Sequence, residues 1–304
     1  MKAYSQLRGG LLGAVMLAGL GAAGVSGATT LERIQSAGAV NFGYIDGAAP
    51  LSSKAGDNQA IGYSIELCQQ VATALKSQLG MSALSVNFVQ VADKDVKDKI
   101  EKGEIDLLCT ATAETLERRK DISYSVPVIN GGIGVALRTD ASPALINVLN
   151  GKMAHSGPTW RATINQGLAN HTYVVRKGEV SEAWVEERIH SLGVIAKVVV
   201  AADYAEGVAM VADGKADAFF GERTVLSEYA SKSKDANELT VLDRDFTYVP
   251  LALAMARNDD DFRLAVDKAL SEFYGTTAFT ELYQRYFGAF DENKQKLFKI
   301  YARH

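Results

Sequence analysis

The chain has 304 residues, 47% hydrophobic and 22% charged side chains, and a formal net charge of −4 at neutral pH. A mildly acidic balance argues against nucleic acid as a partner. The histidines, His155, His171, His190 and His304, are scattered without metal-ligand spacing, and no nucleophile elbow, phosphate loop or zinc-protease motif occurs, so no metal or cofactor is expected.

The first residues, MKAYSQLRGG, carry Lys2 and Arg8; the apolar run LLGAVMLAGLGAAGV and then Ser26-Gly27-Ala28 follow. A charged stretch, a short apolar run and a small-x-small site make residues 1–28 a secretory signal peptide, and a run of roughly 15 residues is short for a span of about 20. The mature protein is expected to be soluble and exported to the periplasm, long enough for one large domain or two small ones. The Gly19–Gly24 match to GxGxxG lacks the strand before it and the acid after it that a dinucleotide site needs. An oxidising compartment permits Cys68 and Cys109 to pair; two buried free thiols are the alternative.

Val40–Ile45 alternates and is β-rich, a strand broken by Ala48-Ala49-Pro50. After Gly62 comes a helical stretch with Ile65, Cys68, Val71 or Ala72, Leu75 and Leu79 at helical spacing, closed by Gly80. Val86–Val91 reads as a second strand, Val96–Lys102 as a short polar helix and Ile105–Leu108 as a buried strand ending near Cys109. Strands alternating with helices imply parallel βαβ units. Gly132–Arg138 reads as a strand leaving a first lobe, Gly157-Pro158 as a turn at a helix start, and Leu251–Arg257 as a return strand. Phe262–Phe287 reads as two helices broken near Gly275, and the tail after Gly288 as polar and uninformative.

DKIEKGEIDLLCTAT (98–112) resembles AMVADGKADAFFGER (209–223): a helix end, a Gly stop, an Asp before a short apolar strand, then a polar loop. Two similar lobes would each offer a loop at a strand's carboxyl end, where open α/β sheets bind ligands; a chance recurrence of a common α/β unit is the alternative.

Several segments in order resemble one family: LERIQSAGAVNFGY (31–44), IGYSIELC (61–68), EKGEIDLLCTATAETLERRKDISYSVPV (101–128), GVALR (134–138), SGPT (156–159), GKADAFFGERTVL (214–226) and YQRYFG (283–288). The chain resembles the solute-binding proteins of polar amino acid ABC transporters, family 3 of the extracellular solute-binding proteins. That resemblance implies a two-lobed periplasmic-binding-protein-like α/β fold. Each lobe would be a central sheet flanked by helices, with two hinge crossovers, 29–136 with 247–304 forming lobe 1 and 137–246 lobe 2. It implies a monomeric receptor that captures an α-amino acid between its lobes and delivers it to a membrane permease, without catalysis.

By that resemblance Arg118 grips the ligand carboxylate with a planar fork, and Thr110, Thr112 and Ala113 supply N–H groups and hydroxyls. Gly157 and Thr159 fall where a helix N-terminus and a hydroxyl meet the same carboxylate. Glu222 falls where relatives pair an acid with the ammonium, an ordinary surface Glu beside Arg223 being the alternative; Asp203 and Tyr204 precede the neighbouring helix, and Tyr204 is expected to reach the cleft. Arg119 and Lys120 are read as surface residues. The side-chain pocket departs from the glutamate/aspartate pattern: Ile45 and Val96 stand where such binders place Arg, with Lys94 and Lys97 nearby, and Ala111 and Ala113 replace loop hydroxyls. Tyr44, Asp46, Trp160 and Tyr248 are candidate replacements. Two alternatives stay open: an accessory or sensory protein with a diverged pocket, and a dehydratase-like enzyme using Glu222 or Asp203 as acid or base.

Overall fold

The computed structural model describes residues 28–56, 59–154 and 165–303. The signal peptide, apart from Ala28, lies outside these residues, as do Gly157, Pro158, Thr159 and Trp160.

The chain enters α1 (Thr30–Ala37), whose first turn is closed by a capping box between Thr29 and Glu32. Then come β1 (Ala39–Tyr44), the antiparallel pair β2 (Ser53–Ala55) and β3 (Gln59–Ile61), α2 (Tyr63–Gln78), β4 (Ser85–Gln90), α3 (Val96–Glu101), β5 (Leu107–Ala113), β6 (Ser123–Tyr124) and β7 (Ile129–Gly131). A second group follows: β8 (Ile133–Arg138), α4 (Pro143–Leu149), β9 (Thr172–Arg176), α5 (Val180–Leu192), β10 (Lys197–Ala201), α6 (Tyr204–Ala212), β11 (Ala218–Glu222), α7 (Arg223–Lys232) and β12 (Leu239–Val241). The chain ends through β13 (Val249–Met255), α8 (Asp260–Tyr274), α9 (Thr277–Phe287) and α10 (Glu292–Tyr301).

Apart from the β2–β3 pair, these strands make two sheets, ordered β4-β1-β5-β13-β6, with β7 also on β13, and β10-β9-β11-β8-β12. In the first, β4, β1 and β5 run parallel; in the second, β10, β9 and β11 do. Helices flank both sheets, which is the two-lobed α/β fold the sequence implied. The disulfide reading holds: Cys68 on α2 is bonded to Cys109 on β5, closing a separation of 41 residues beside the buried Leu67, Val71 and Leu75. Replacing both cysteines by alanine is expected to lower unfolding free energy by about 2–4 kcal/mol, since a loop of this size restricts the unfolded chain; denaturant titration of the double variant checks it, and an unchanged midpoint would refute it.

The internal repeat is structural. Asp106 Oδ2 accepts the Asn41 N–H (2.8 Å) and the Asp106 N–H donates to the Asn41 carbonyl (2.7 Å). Asp217 Oδ2 accepts the Thr172 N–H (2.7 Å) while its own N–H donates to the Thr172 carbonyl (2.8 Å). In each lobe the aspartate pins its strand to the start of a parallel neighbour, so β5 and β11 deliver their carboxyl ends, Thr110–Ala113 and Glu222, to one cleft.

Three expectations change. β5 does not end near Cys109; it begins at Leu107 and runs to Ala113, because Leu251 and Ala252 of β13 pair with Ala113 and Thr112. The end of the first lobe at 136 cuts β8, whose Ile133–Leu137 pair with β11; the chain changes sheets at Gly132 and returns after β12. A Cβ on Gly132 would run into the Thr247 carbonyl oxygen, so only glycine lets the two crossings pass so closely. They are tied together there: Ile133 N–H donates to Thr247 Oγ1 (3.2 Å), and Phe246 N–H to the Ile133 carbonyl (2.8 Å). The tail after Gly288 is not featureless either. It forms α10, whose Phe298 is buried against the rings of Tyr274, Phe279, Tyr283 and Phe290.

Candidate functional site

The charge cluster Glu117–Lys120 sorts itself once folded. Arg119 pairs with Glu114 (3.2 Å) and Lys120 with Glu117, both cations exposed. Arg118 has no carboxylate within 4 Å among the described residues; its Nη1 donates only to the Ala113 carbonyl (3.4 Å), and it borders a cleft of about 110 Å³ between the lobes. Thr110, Thr112 and Ala113 line the same cleft. Thr110 is largely committed within the first lobe: its Oγ1 accepts the Ile45 N–H (2.8 Å) and lies 2.6 Å from Ser52 Oγ.

Across the cleft stands Glu222, the last residue of β11 and the N-cap of α7. Its Oε2 accepts the Val225 N–H (2.9 Å), while Oε1 is buried and has no hydrogen-bond partner among the described residues. Burial pushes this carboxyl up to about 7, against the opposing pull of the Val225 N–H. Arg223 turns away to Asp245 (2.6 Å) and Asp243 (3.3 Å), so Glu222 is not one half of a surface pair with it. Beneath it the Tyr204 hydroxyl accepts the Glu222 backbone N–H (2.8 Å) and donates to Glu179 Oε2 (2.9 Å). Tyr204 lines the cleft wall, and burial holds its hydroxyl well above the usual tyrosine range.

Other candidates are placed elsewhere. Asp203 caps α6 by accepting the Glu206 N–H (2.8 Å) and does not line the cleft. Tyr44 is packed into the first lobe's core. Asp46 Oδ1 is held by the N–H groups of Gly47 (2.8 Å) and Lys54 (2.9 Å), a turn contact. Tyr248 is 72% exposed. Among the described residues no group of His, Cys, Asp and Glu is arranged to hold a metal ion.

Sequence reasoning missed three wall residues. Arg176, at the carboxyl end of β9, pairs with Glu179 (2.8 Å) and reaches Asp93 of the other lobe (3.7 Å). Burial raises the Glu179 carboxyl despite that neighbour. A second contact joins the lobes where the Tyr229 hydroxyl donates to the Gly47 carbonyl (2.9 Å). The signal was present: VVRKGE places Arg176 at the carboxyl end of an apolar run, the same position that drew attention to Glu222.

Residues 40–289 match the family described as bacterial extracellular solute-binding proteins, family 3. The L-glutamate/L-aspartate-binding protein of Pseudomonas aeruginosa is 23% identical over 259 residues, 85% of this chain and 80% of that protein. The glutamate/aspartate import solute-binding protein of Escherichia coli is 18% identical over 244 residues, 80% of this chain and 74% of that one. Among solved structures, an ancestral amino acid-binding protein that is a precursor of cyclohexadienyl dehydratase superimposes with a TM-score of 0.68 at 22% identity, over 86% of this chain and all of that one. An arginine-bound amino acid ABC transporter substrate-binding protein of Streptococcus pneumoniae gives 0.64 at 19% identity, over 90% of this chain and all of that one. These likenesses carry the fold, and the family match spans both lobes and both crossings between them. The chain belongs to the bacterial extracellular solute-binding proteins of family 3.

Proposed function

We propose that this protein captures an α-amino acid between its lobes, with Arg118 on the carboxylate and Glu222 on the ammonium, and delivers it to an inner-membrane ABC permease. One observation carries the reading: among the described residues, a cation without a carboxylate and a carboxylate oxygen without a partner stand in one cleft, on different lobes. A zwitterion supplies both missing partners, and in a water-poor cleft both become charge-assisted hydrogen bonds. Thr112 and Ala113 would complete the carboxylate's surroundings, and Tyr204 would hold Glu222 in place.

The lobes are residues 29–131 with 249–303, and 133–241, hinged at Gly132 and 242–248. The signal-peptide pattern supports a periplasmic location, and the receptor works as a monomer. It binds without turnover, as the names of its relatives suggest. A pocket that keeps both unpartnered charges disfavours the diverged accessory protein.

The test is thermal unfolding of refolded, ligand-stripped protein against the L-α-amino acids, and against amines and acids lacking one of the two charges. A ligand at about 1,000 times its Kd adds about 4 kcal/mol, several degrees for a chain of this size. The zwitterions should shift the transition and the singly charged analogues should not; no shift with any amino acid would refute the reading.

A further inference from the structure

Two of the contacts between the lobes differ in kind. Arg176 and Asp93 are charged, 3.7 Å apart, and both line the cleft. The bond from the Tyr229 hydroxyl of α7 to the Gly47 carbonyl (2.9 Å) is neutral, and neither residue lines the cleft. Both of its partners are held before they meet. Asp46 Oδ1 accepts the N–H groups of Gly47 (2.8 Å) and Lys54 (2.9 Å), and Ala48 and Ser52 exchange backbone hydrogen bonds (3.1 Å each). The loop thus presents the Gly47 carbonyl with little freedom left to lose. On the other lobe the Tyr229 ring stacks on Tyr204, centroids 5.6 Å and planes 29° apart, and the Tyr204 hydroxyl takes the Glu222 N–H. A cavity of about 410 Å³ lies beside the contact, between Ala49 of the first lobe and Ala205, Val208 and Ala209 of α6. The hydrogen bond, more than packing, therefore sets the strength of this contact.

We propose that Tyr229 is a positioning residue for ligand capture: its hydroxyl latches the closed form at a point the ligand does not touch, and its ring ties that latch to the wall carrying Glu222. The inference rests on the amino-acid reading above. Rotation of the lobes about Gly132 and 242–248 carries Tyr229 away from Gly47, so the bond exists only in the closed form and favours it. Without the latch the closed form is rarer by one factor, and a ligand that needs the closed form binds more weakly in proportion. That factor is the same for every ligand, because the contact lies outside the cleft. Tyr229 thus adds affinity and takes no part in choosing among side chains.

The test is titration calorimetry of the L-α-amino acids against Tyr229→Phe, which keeps the stacked ring and deletes the hydroxyl. Every amino acid that binds the wild type should weaken by one common factor of about three- to tenfold, the worth of a neutral hydrogen bond. The factor should be the same at low and high salt, since no charge is removed. Tyr173→Phe is the control, because it deletes a hydroxyl bonded inside the second lobe, to the Leu168 carbonyl (2.8 Å). It should lower the melting temperature and leave affinity within about twofold. Unchanged affinity in Tyr229→Phe, a loss that differs between ligands by more than about twofold, or an equal loss in Tyr173→Phe overturns the latch and leaves the amino-acid reading standing. No binding of any amino acid by the wild type overturns both.

Discussion

Arg118→Ala should lower affinity for the bound amino acid by roughly 100- to 1,000-fold, because removing one partner of a desolvated charge pair costs about 2–5 kcal/mol, much of it from the charge left unpaired. Arg119→Ala and Lys120→Ala should leave affinity within about twofold, since exposed pairs such as Arg119–Glu114 and Lys120–Glu117 contribute under about 1 kcal/mol and face away from the cleft. The contrast among three adjacent cations separates a specific contact from a general field. Arg118→Lys should recover only part of the loss, because an ammonium is a point charge and cannot match both carboxylate oxygens. The ligand-free melting temperature should not move: within the described residues Arg118 makes only its own N–H contact to Thr115 Oγ1 (3.2 Å) and the long one to the Ala113 carbonyl. Wild-type affinity in Arg118→Ala would sink the site, and a collapsed ligand-free melting temperature would make Arg118 a structural residue instead.

What could be read from the sequence follows how local each determinant is. β1 and α2 declare themselves by spacing, and Gly62, at φ 130°, marks the start of α2 because a Cβ there would meet the Leu51 carbonyl. Glu222 was reachable through the repeat, since Asp106 and Asp217 are local signatures of where a strand begins and therefore of where it ends. Arg118 was singled out from Arg119 and Lys120 only by resemblance; which neighbours find carboxylates is decided by turn geometry after Ala113. The cleft end of β5 was missed because the alanines of Thr-Ala-Thr-Ala dilute the strand preference of its threonines and the segment is held by β13, far along the chain. Asp93 was missed for the same reason, since its contact with Arg176 joins two lobes, whereas Arg176 and Glu179 form a local pair whose place at a strand's carboxyl end was legible in VVRKGE. α10 hid behind a polar composition, its place fixed by Phe298 in an aromatic cluster that draws on α8 and α9.

Glu222 sets function against stability, and pH reveals it. Its folded-state pKa of about 7 lies above the ordinary 4.5, so burial of the neutral acid contributes stability that is complete below pH 4.5 and is lost as pH rises through 7. At 1.36 kcal/mol per unit the ionised form costs about 3 kcal/mol in the empty protein. Glu222→Gln keeps an oxygen for the Val225 N–H but cannot ionise, so the ligand-free variant should match wild type near pH 4.5 and exceed it by up to about 3 kcal/mol at pH 8.5. The same change should weaken amino-acid binding by roughly 100-fold, because an amide cannot answer the ammonium with a full charge. In the wild type the ammonium should pull the carboxyl back to its ionised form. Binding should then release a proton below about pH 7 and tighten as pH rises through that value. Unfolding curves across pH, with calorimetry in buffers of different ionisation enthalpy, measure both effects. A variant with no stability gain at pH 8.5, or wild-type binding without proton release at pH 6, would show that Glu222 does not carry the buried charge.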